Sequence, residues 1–195
     1  MSKGRLEAFS DGVFAIIITI MVLELHAPPS ADPYALIHLT PVFLSYALSF
    51  VFVAIYWNNH HHMLQASKHV DGRVLWANMH LLFWLSLVPF VTAWMGSNHF
   101  ATWPVAVYGV VLLLCGTAYF ILSRFLIALH GQDSVLSEAL GRDAKGKASV
   151  LIYLAAIPLA FVNARWSCAM YVLVAVMWLF PDRRIEKQLA AGRKQ

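Results

Sequence analysis

The hydrocarbon core of a bilayer offers no water to a backbone N–H or C=O. A chain built from apolar runs of about 20 residues must therefore satisfy those groups within itself, as helices. Runs of that kind fill this chain. Of its 195 residues, 60% are hydrophobic and 12% charged, where a soluble domain usually carries about 25% charge. Six spans can be drawn, at 6–25, 34–57, 74–96, 103–129, 148–163 and 166–180. The expected fold class is an all-α membrane protein, with 1–195 forming a single six-helix transmembrane domain. Pro28, Pro29 and Pro33 separate the first two spans, and a histidine-rich loop is expected after the second. Pro89 is expected to kink the third span, and Thr92 to satisfy a carbonyl freed there. The polar stretch 131–147 precedes the fifth span, and Pro181-Asp182-Arg183-Arg184 closes the sixth. The last two spans are almost contiguous, which predicts a tight helical hairpin.

Charge gives the orientation. Lys3, Arg5, Lys68, Arg73, Arg124, Arg142, Lys145, Lys147, Arg183, Arg184, Lys187, Arg193 and Lys194 fall on one side of the six spans, and Arg165 on the other. Thirteen against one predicts cytoplasmic termini and a multi-pass protein of the cell's inner (plasma) membrane. The net charge of +4 is thereby read as a topology signal, not as a nucleic-acid surface. Asp11 and Glu24 in and beside the first apolar run argue against a cleaved signal peptide. Cys115 and Cys168 both fall inside spans and make no disulfide framework. The loops are too short to hold an enzyme, and no Gly-rich phosphate loop with its lysine is present.

Helix 1 opens with Arg5, Phe9, Ser10 and Asp11 and continues as an apolar stretch. At about 100° per residue, Ile16, Ile20 and Leu23 fall within roughly 60° of one another, with Gly12 below and Thr19 alongside. Alone, such a ladder is what a lipid-facing or core helix also shows. Asp11 projects about 140° from Ile16, which suits a pairing with a histidine or arginine on a neighbouring helix better than ion coordination. In Tyr56-Trp57-Asn58-Asn59-His60-His61-His62 the adjacent histidines point about 100° apart, so they do not converge on one metal ion. The expectation is no metal site. One histidine would bond inward to Asp11 or Asn78, and the others would meet water or head groups. Asn78 is a polar residue within a span, able to bond another helix. Trp57, Trp76, Trp94, Trp103, Trp166 and Trp178 near span ends fit an interfacial aromatic belt.

These residues also carry a resemblance. Arg5-x-x-x-Phe9-Ser10-Asp11 resembles the R-x-x-x-F-S-D signature of the transmembrane protein 175 family, potassium channels known from lysosomes and, in shorter form, from bacteria and archaea. Tyr56-Trp57-x-x-His60-His61, Asp71-Gly72-Arg73-x-Leu75-Trp76-x-Asn78 and Leu87-Val88-Pro89-Phe90-x-Thr92 are similar to the family as well. The resemblance covers helices 1 to 3, and the chain length matches the prokaryotic members with one six-helix unit. It implies a homotetramer in the lipid bilayer with helix 1 of each copy around a central pore. It implies an aliphatic constriction at Ile16, Ile20 and Leu23 instead of a carbonyl filter, and Thr19 as a hydroxyl layer. Arg5, Ser10, Asp11, His60, His61 and Asn78 would form an inter-helix polar network, with His62 standing where many relatives carry arginine. The implied function is passive potassium permeation, with K⁺ as the permeant ion and no resident cofactor. The competing expectation is a proton channel or proton-coupled carrier using Asp11 and His60, His61 and His62.

Overall fold

In the computed structural model, residues 2–131 and 144–179 are described. Their regular elements are all helices: α1 Lys3–Leu23, α2 Ala35–His38, α3 Thr40–Gln65, α4 Gly72–Ser86, α5 Val88–Ser97, α6 Thr102–His130 and α7 Ala144–Leu179. The expected loop residues 132–143 and the basic tail from 180 onward lie outside the described residues. With them go Arg142, Arg183, Arg184, Lys187, Arg193 and Lys194.

Where the helices begin and end follows from local chemistry. α3 runs through His60, His61 and His62 to Gln65, so the histidines sit on a helix and not in the expected loop. Nothing between Pro41 and Gly72 is a glycine or proline, so no residue there breaks the helix earlier. α4 starts where the Asp71 carboxylate accepts a hydrogen bond from the Val74 N–H at 2.9 Å, an N-cap. The hydrogen-bond ladder of the third span is interrupted at Leu87, whose backbone stays helical (φ −85°, ψ −12°), and Pro89 sits in the first turn of α5. The missing N–H of Pro89 removes the helical donor to the Leu85 carbonyl, which is what interrupts the ladder. Thr92 Oγ1 lies 2.6 Å from both the Val88 carbonyl and Ser49 Oγ. Its contacts thus lie within α5 and across to α3, and do not reach Leu85, whose carbonyl a residue with an N–H at 89 would serve.

α7 is continuous in name only. Asn163 is extended (φ −158°, ψ 107°), and its side-chain oxygen accepts from the Arg165 N–H at 3.0 Å. Ser167 Oγ donates to the Ala156 carbonyl at 2.8 Å, and Trp178 Nε1 donates to Ser149 Oγ at 2.9 Å. In a straight helix Ser149 and Trp178 would stand about 43 Å apart. The two legs are therefore antiparallel and turn at one residue. With α4 and α5 stacked as one crossing, the described chain crosses six times: α1, α3, α4–α5, α6 and the two legs of α7.

The ends of the bundle separate cleanly. At one end Lys3 Nζ donates to the Gln65 carbonyl at 3.4 Å. There too His130 Nε2 accepts from the Lys68 N–H at 2.9 Å and the His69 N–H at 3.4 Å, locking the α3–α4 connection onto the end of α6. Lys145 and Lys147 begin α7 at this same end, beside Trp178. At the opposite end, His99 and Phe100 of the α5–α6 turn border a shallow cavity with Asn163 and Arg165.

Two glycines set how closely the helices pack. A Cβ on Gly96 would lie 2.8 Å from the Val42 backbone and also strike Ser45 Oγ, so α5 crosses α3 at backbone contact. A Cβ on Gly109 would strike the Tyr171 hydroxyl, which donates to the Val105 carbonyl at 3.1 Å. Close approach through small residues is how helices associate where lipid removes the hydrophobic drive. Gly96→Leu is expected to destabilise the subunit by about 2 kcal/mol or more, because backbone cannot move aside as a side chain can. Thermal unfolding in detergent reads this against Gly4→Leu, where nothing lies within 4 Å of the added carbon.

Candidate functional site

α1 carries two unlike faces. Leu6, Ser10, Phe14, Ile17 and Met21 recur at intervals of three or four and are buried against α3, α4 and α5. Ile16, Ile20 and Leu23 lie roughly 110° around the helix from that stripe. Their exposures are 57%, 42% and 74%. The subunit's own helices leave this aliphatic row uncovered. Gly12 lies one turn below Ile16, and a Cβ there would meet nothing within 4 Å. Thr19, beside the row, donates its hydroxyl proton to the Ile16 carbonyl at 2.8 Å. Its oxygen is thereby left as an acceptor.

The buried face is held by one polar chain. His60 Nε2 lies 2.7 Å from Asn78 Oδ1, Asn78 Nδ2 donates to Ser10 Oγ at 3.0 Å, and Ser10 Oγ donates to the Leu6 carbonyl at 2.8 Å. All three side chains are buried. The direction of the chain assigns the His60 proton to Nε2, because the Asn78 oxygen only accepts. The chain ties α3, α4 and α1 together at one level. The Asp71 cap fixes where α4 begins, and Asn78 follows two turns later on the buried face.

Asp11 belongs to a second contact. Its Oδ1 accepts from Trp57 Nε1 at 2.9 Å, and the Trp57 ring stacks on His61 with centroids 5.9 Å apart. The partner is thus a tryptophan and not the expected histidine or arginine. The reason is geometric: Asp11 is rotated about 100° from Ser10 and meets α3 one turn before His60. Asp11 and Arg5 are both exposed. Arg5 joins neither contact, and an ion pair among the described residues joins Lys3 to Glu7 at 3.6 Å, a half-buried pair within one helix and of small energetic weight. Of the six expected network residues, then, Ser10, His60 and Asn78 form one chain, Asp11 and His61 meet around Trp57, and Arg5 stands on the ladder side of α1. His60, His61 and His62 point in three directions. No group of three or more metal-ligating side chains forms among the described residues. His62 Nδ1 is buried without a hydrogen-bond partner among them.

Two elements escaped the sequence reading. Trp57 reads as a belt residue, yet it is the donor to Asp11. Ser49 Oγ lies 3.0 Å from the Tyr108 hydroxyl and 2.6 Å from Thr92 Oγ1, joining α3, α5 and α6 in a buried hydroxyl cluster. The signal for the latter was Ser45 and Ser49, four apart on an apolar helix, a spacing of small polar residues that favours helix contact.

Residues 5–89 match the family described as endosomal/lysosomal potassium channel TMEM175. A protein of Chryseobacterium sp. (strain P1-3) named a potassium channel is 51% identical over 97% of this chain and 98% of its own length. The crystal structure of a lysosomal potassium-selective channel TMEM175 homolog from Chamaesiphon minutus superposes with a TM-score of 0.78 at 28% identity, covering 91% of this chain and 96% of that one. The Rattus norvegicus protein named endosomal/lysosomal proton channel TMEM175 is 28% identical over the whole of this chain and 44% of its own.

Asn78→Leu is expected to lower stability by about 1–2 kcal/mol, since it strands the His60 ring nitrogen in an apolar interior. Asp11→Asn keeps an acceptor for Trp57 and is expected to unfold near the wild-type temperature. Equal losses in the two variants, measured by thermal unfolding in detergent, would show that the Asp11 charge braces the fold as firmly as the buried chain does.

Proposed function

The chain belongs to the TMEM175 family of ion channels, and from this we propose that it is a passive, potassium-permeable cation channel in which α1 of four identical subunits surrounds a central pore. The observation that carries the reading is the uncovered aliphatic row on α1. A subunit that buries Leu6, Ser10, Phe14, Ile17 and Met21 and leaves Ile16, Ile20 and Leu23 outward has one helix face free for copies of itself. The family likeness favours a pore over lipid as what that face meets.

Four Ile16 side chains brought together form an apolar ring that empties of water when narrow. Apolar side chains cannot replace a hydration shell, so this ring sorts cations by size and dehydration cost, and its selectivity is modest. The Thr19 oxygen, its own proton held by the Ile16 carbonyl, is a suitable acceptor for a partly dehydrated cation one level away. Glu24, exposed just after α1, raises the local cation concentration at the outer mouth. Potassium passes as the permeant ion, with no resident cofactor. Lys3, Lys68, Lys145 and Lys147 gathered at one end and Arg165 at the other support cytoplasmic termini in the plasma membrane. In this arrangement the Ser10–Asn78–His60 chain is a brace: it fixes the rotation of α1 from the side remote from the ladder.

Proton flux is the second reading, favoured by the name of the rat relative and by a buried histidine bonded next to α1. Against it, Asp11 bonds Trp57 while His60 bonds Asn78, so the two titratable groups of the proposed relay have separate partners. Purified protein in liposomes decides. Under opposed K⁺ and Na⁺ gradients the current is expected to reverse on the potassium side of zero, and a pH gradient alone is expected to drive little. Ile16→Asn is expected to raise conductance several-fold and move reversal toward zero. A reversal potential that follows pH and ignores potassium would establish the proton reading, and unchanged conductance in Ile16→Asn would remove Ile16 from the constriction.

A further inference from the structure

A second feature lies outside α1 altogether. α3, α6 and the first leg of α7 part to leave a cleft of about 510 Å³, within the roughly 300–1,000 Å³ of small-molecule sites. It is elongated along the helices: on α3 its wall runs from Phe52 to Asn59, about 10 Å of rise. One end is apolar, with Phe52 and Tyr153. The other is bordered by Asn59, Lys147 and Trp178, at the end of the bundle that gathers Lys3 and Lys68. The Asn59 amide already donates to the Ile55 carbonyl at 2.9 Å and the Trp178 indole to Ser149 at 2.9 Å. Lys147 is exposed, and among the described residues no acidic side chain lines the cleft. Gly116 keeps the α6 wall open, since a Cβ there would meet the Tyr56 hydroxyl at 3.6 Å and nothing nearer.

We propose that this cleft binds one anionic glycerophospholipid, with an acyl chain between α3, α6 and α7 and its phosphate on the Lys147 ammonium. The axis, the apolar inner end and the charge at the interfacial end match a lipid standing in its own leaflet. A polar metabolite would meet apolar wall along most of its length. The following chain segment 180–195 suits the cleft poorly, because its five lysines and arginines outnumber Asp182 and Glu186 and give it the same sign of charge as Lys147. Basic residues at this depth attract anionic head groups. The inference requires that the chain span a membrane and is independent of which ion it conducts.

The test is native mass spectrometry of the delipidated full-length protein titrated with phosphatidylglycerol or phosphatidylcholine. Wild type is expected to take up one phosphatidylglycerol per chain in preference to phosphatidylcholine. Lys147→Gln, an exposed change, is expected to weaken phosphatidylglycerol binding about fivefold and to leave phosphatidylcholine unaffected. Gly116→Leu is expected to abolish the bound lipid while Gly116→Ala, which fits the space, retains it. Thermal unfolding confirms that each variant is folded. Equal uptake of both lipids, or displacement of phosphatidylglycerol by a free fatty acid at equal concentration, would overturn the proposal. So would lipid uptake seen only after removal of residues 183–195, which would assign the cleft to the chain's own tail. An altered oligomeric state in Gly116→Leu with no lipid on wild type would assign it to a neighbouring copy.

Discussion

Asn78 reaches from α4 to two other helices at once, and in hydrocarbon that bridge has no water to compete with it. Its amide gives a proton to Ser10 on α1 and its oxygen faces His60 on α3. Each neighbour is satisfied in turn, with Ser10 passing its own proton to the Leu6 carbonyl. A fully satisfied polar chain of this kind fixes rotation as well as position. Because Ser10 must face Asn78, Phe14, Ile17 and Met21 must face inward, and Ile16, Ile20 and Leu23 must face out. The aliphatic row is exposed as a consequence of where one amide sits.

Much of this was legible in the sequence, for physical reasons that differ from element to element. The membrane class and the helical fold followed from apolar length alone, since a bilayer leaves few alternatives. The two faces of α1 followed from its period. Asn78 stood out because an amide within a span requires a partner. Whether the inward histidine would meet Asp11 or Asn78 was open, because it depends on the rotation of α3 against α1 and α4, which no local pattern encodes. Trp57 was misjudged for the same reason: an indole near a span end suits an interface and a carboxylate equally well. The histidine run was assigned to a loop on its polarity, whereas the absence of any glycine or proline up to Gly72 let α3 continue through it. Pro89 announced an irregularity, and it takes the form of an interrupted hydrogen-bond ladder at Leu87, where the backbone itself stays helical.

The two halves of the subunit do different work. α1 and the helices that hold it, α3 and α4–α5, carry the uncovered face and its bracing. α6 and the α7 hairpin are packed by aromatic and glycine contacts, Gly109 on Tyr171 and Tyr108 beside it. They supply a wall against which α3 is held by the Ser49–Tyr108–Thr92 hydroxyls. A lipid in the cleft between α3, α6 and α7 would act on α3, and through Trp57 and His60 on α1. Such a route would couple the surrounding leaflet to the helix proposed to line the pore without any contact between lipid and ion.

The central claim is that the Ile16 face of α1, and no other, meets a water-filled path. Cysteine accessibility measures this directly. With Cys115 and Cys168 replaced by alanine, single cysteines placed along α1 are challenged with a charged, membrane-impermeant thiol reagent during potassium-current recording. Block of current is expected at 16, 20 and 23, and none at 14, 17 and 21. Modification and block at the buried positions, or free modification at 16, 20 and 23 with the current unaltered, would contradict the account.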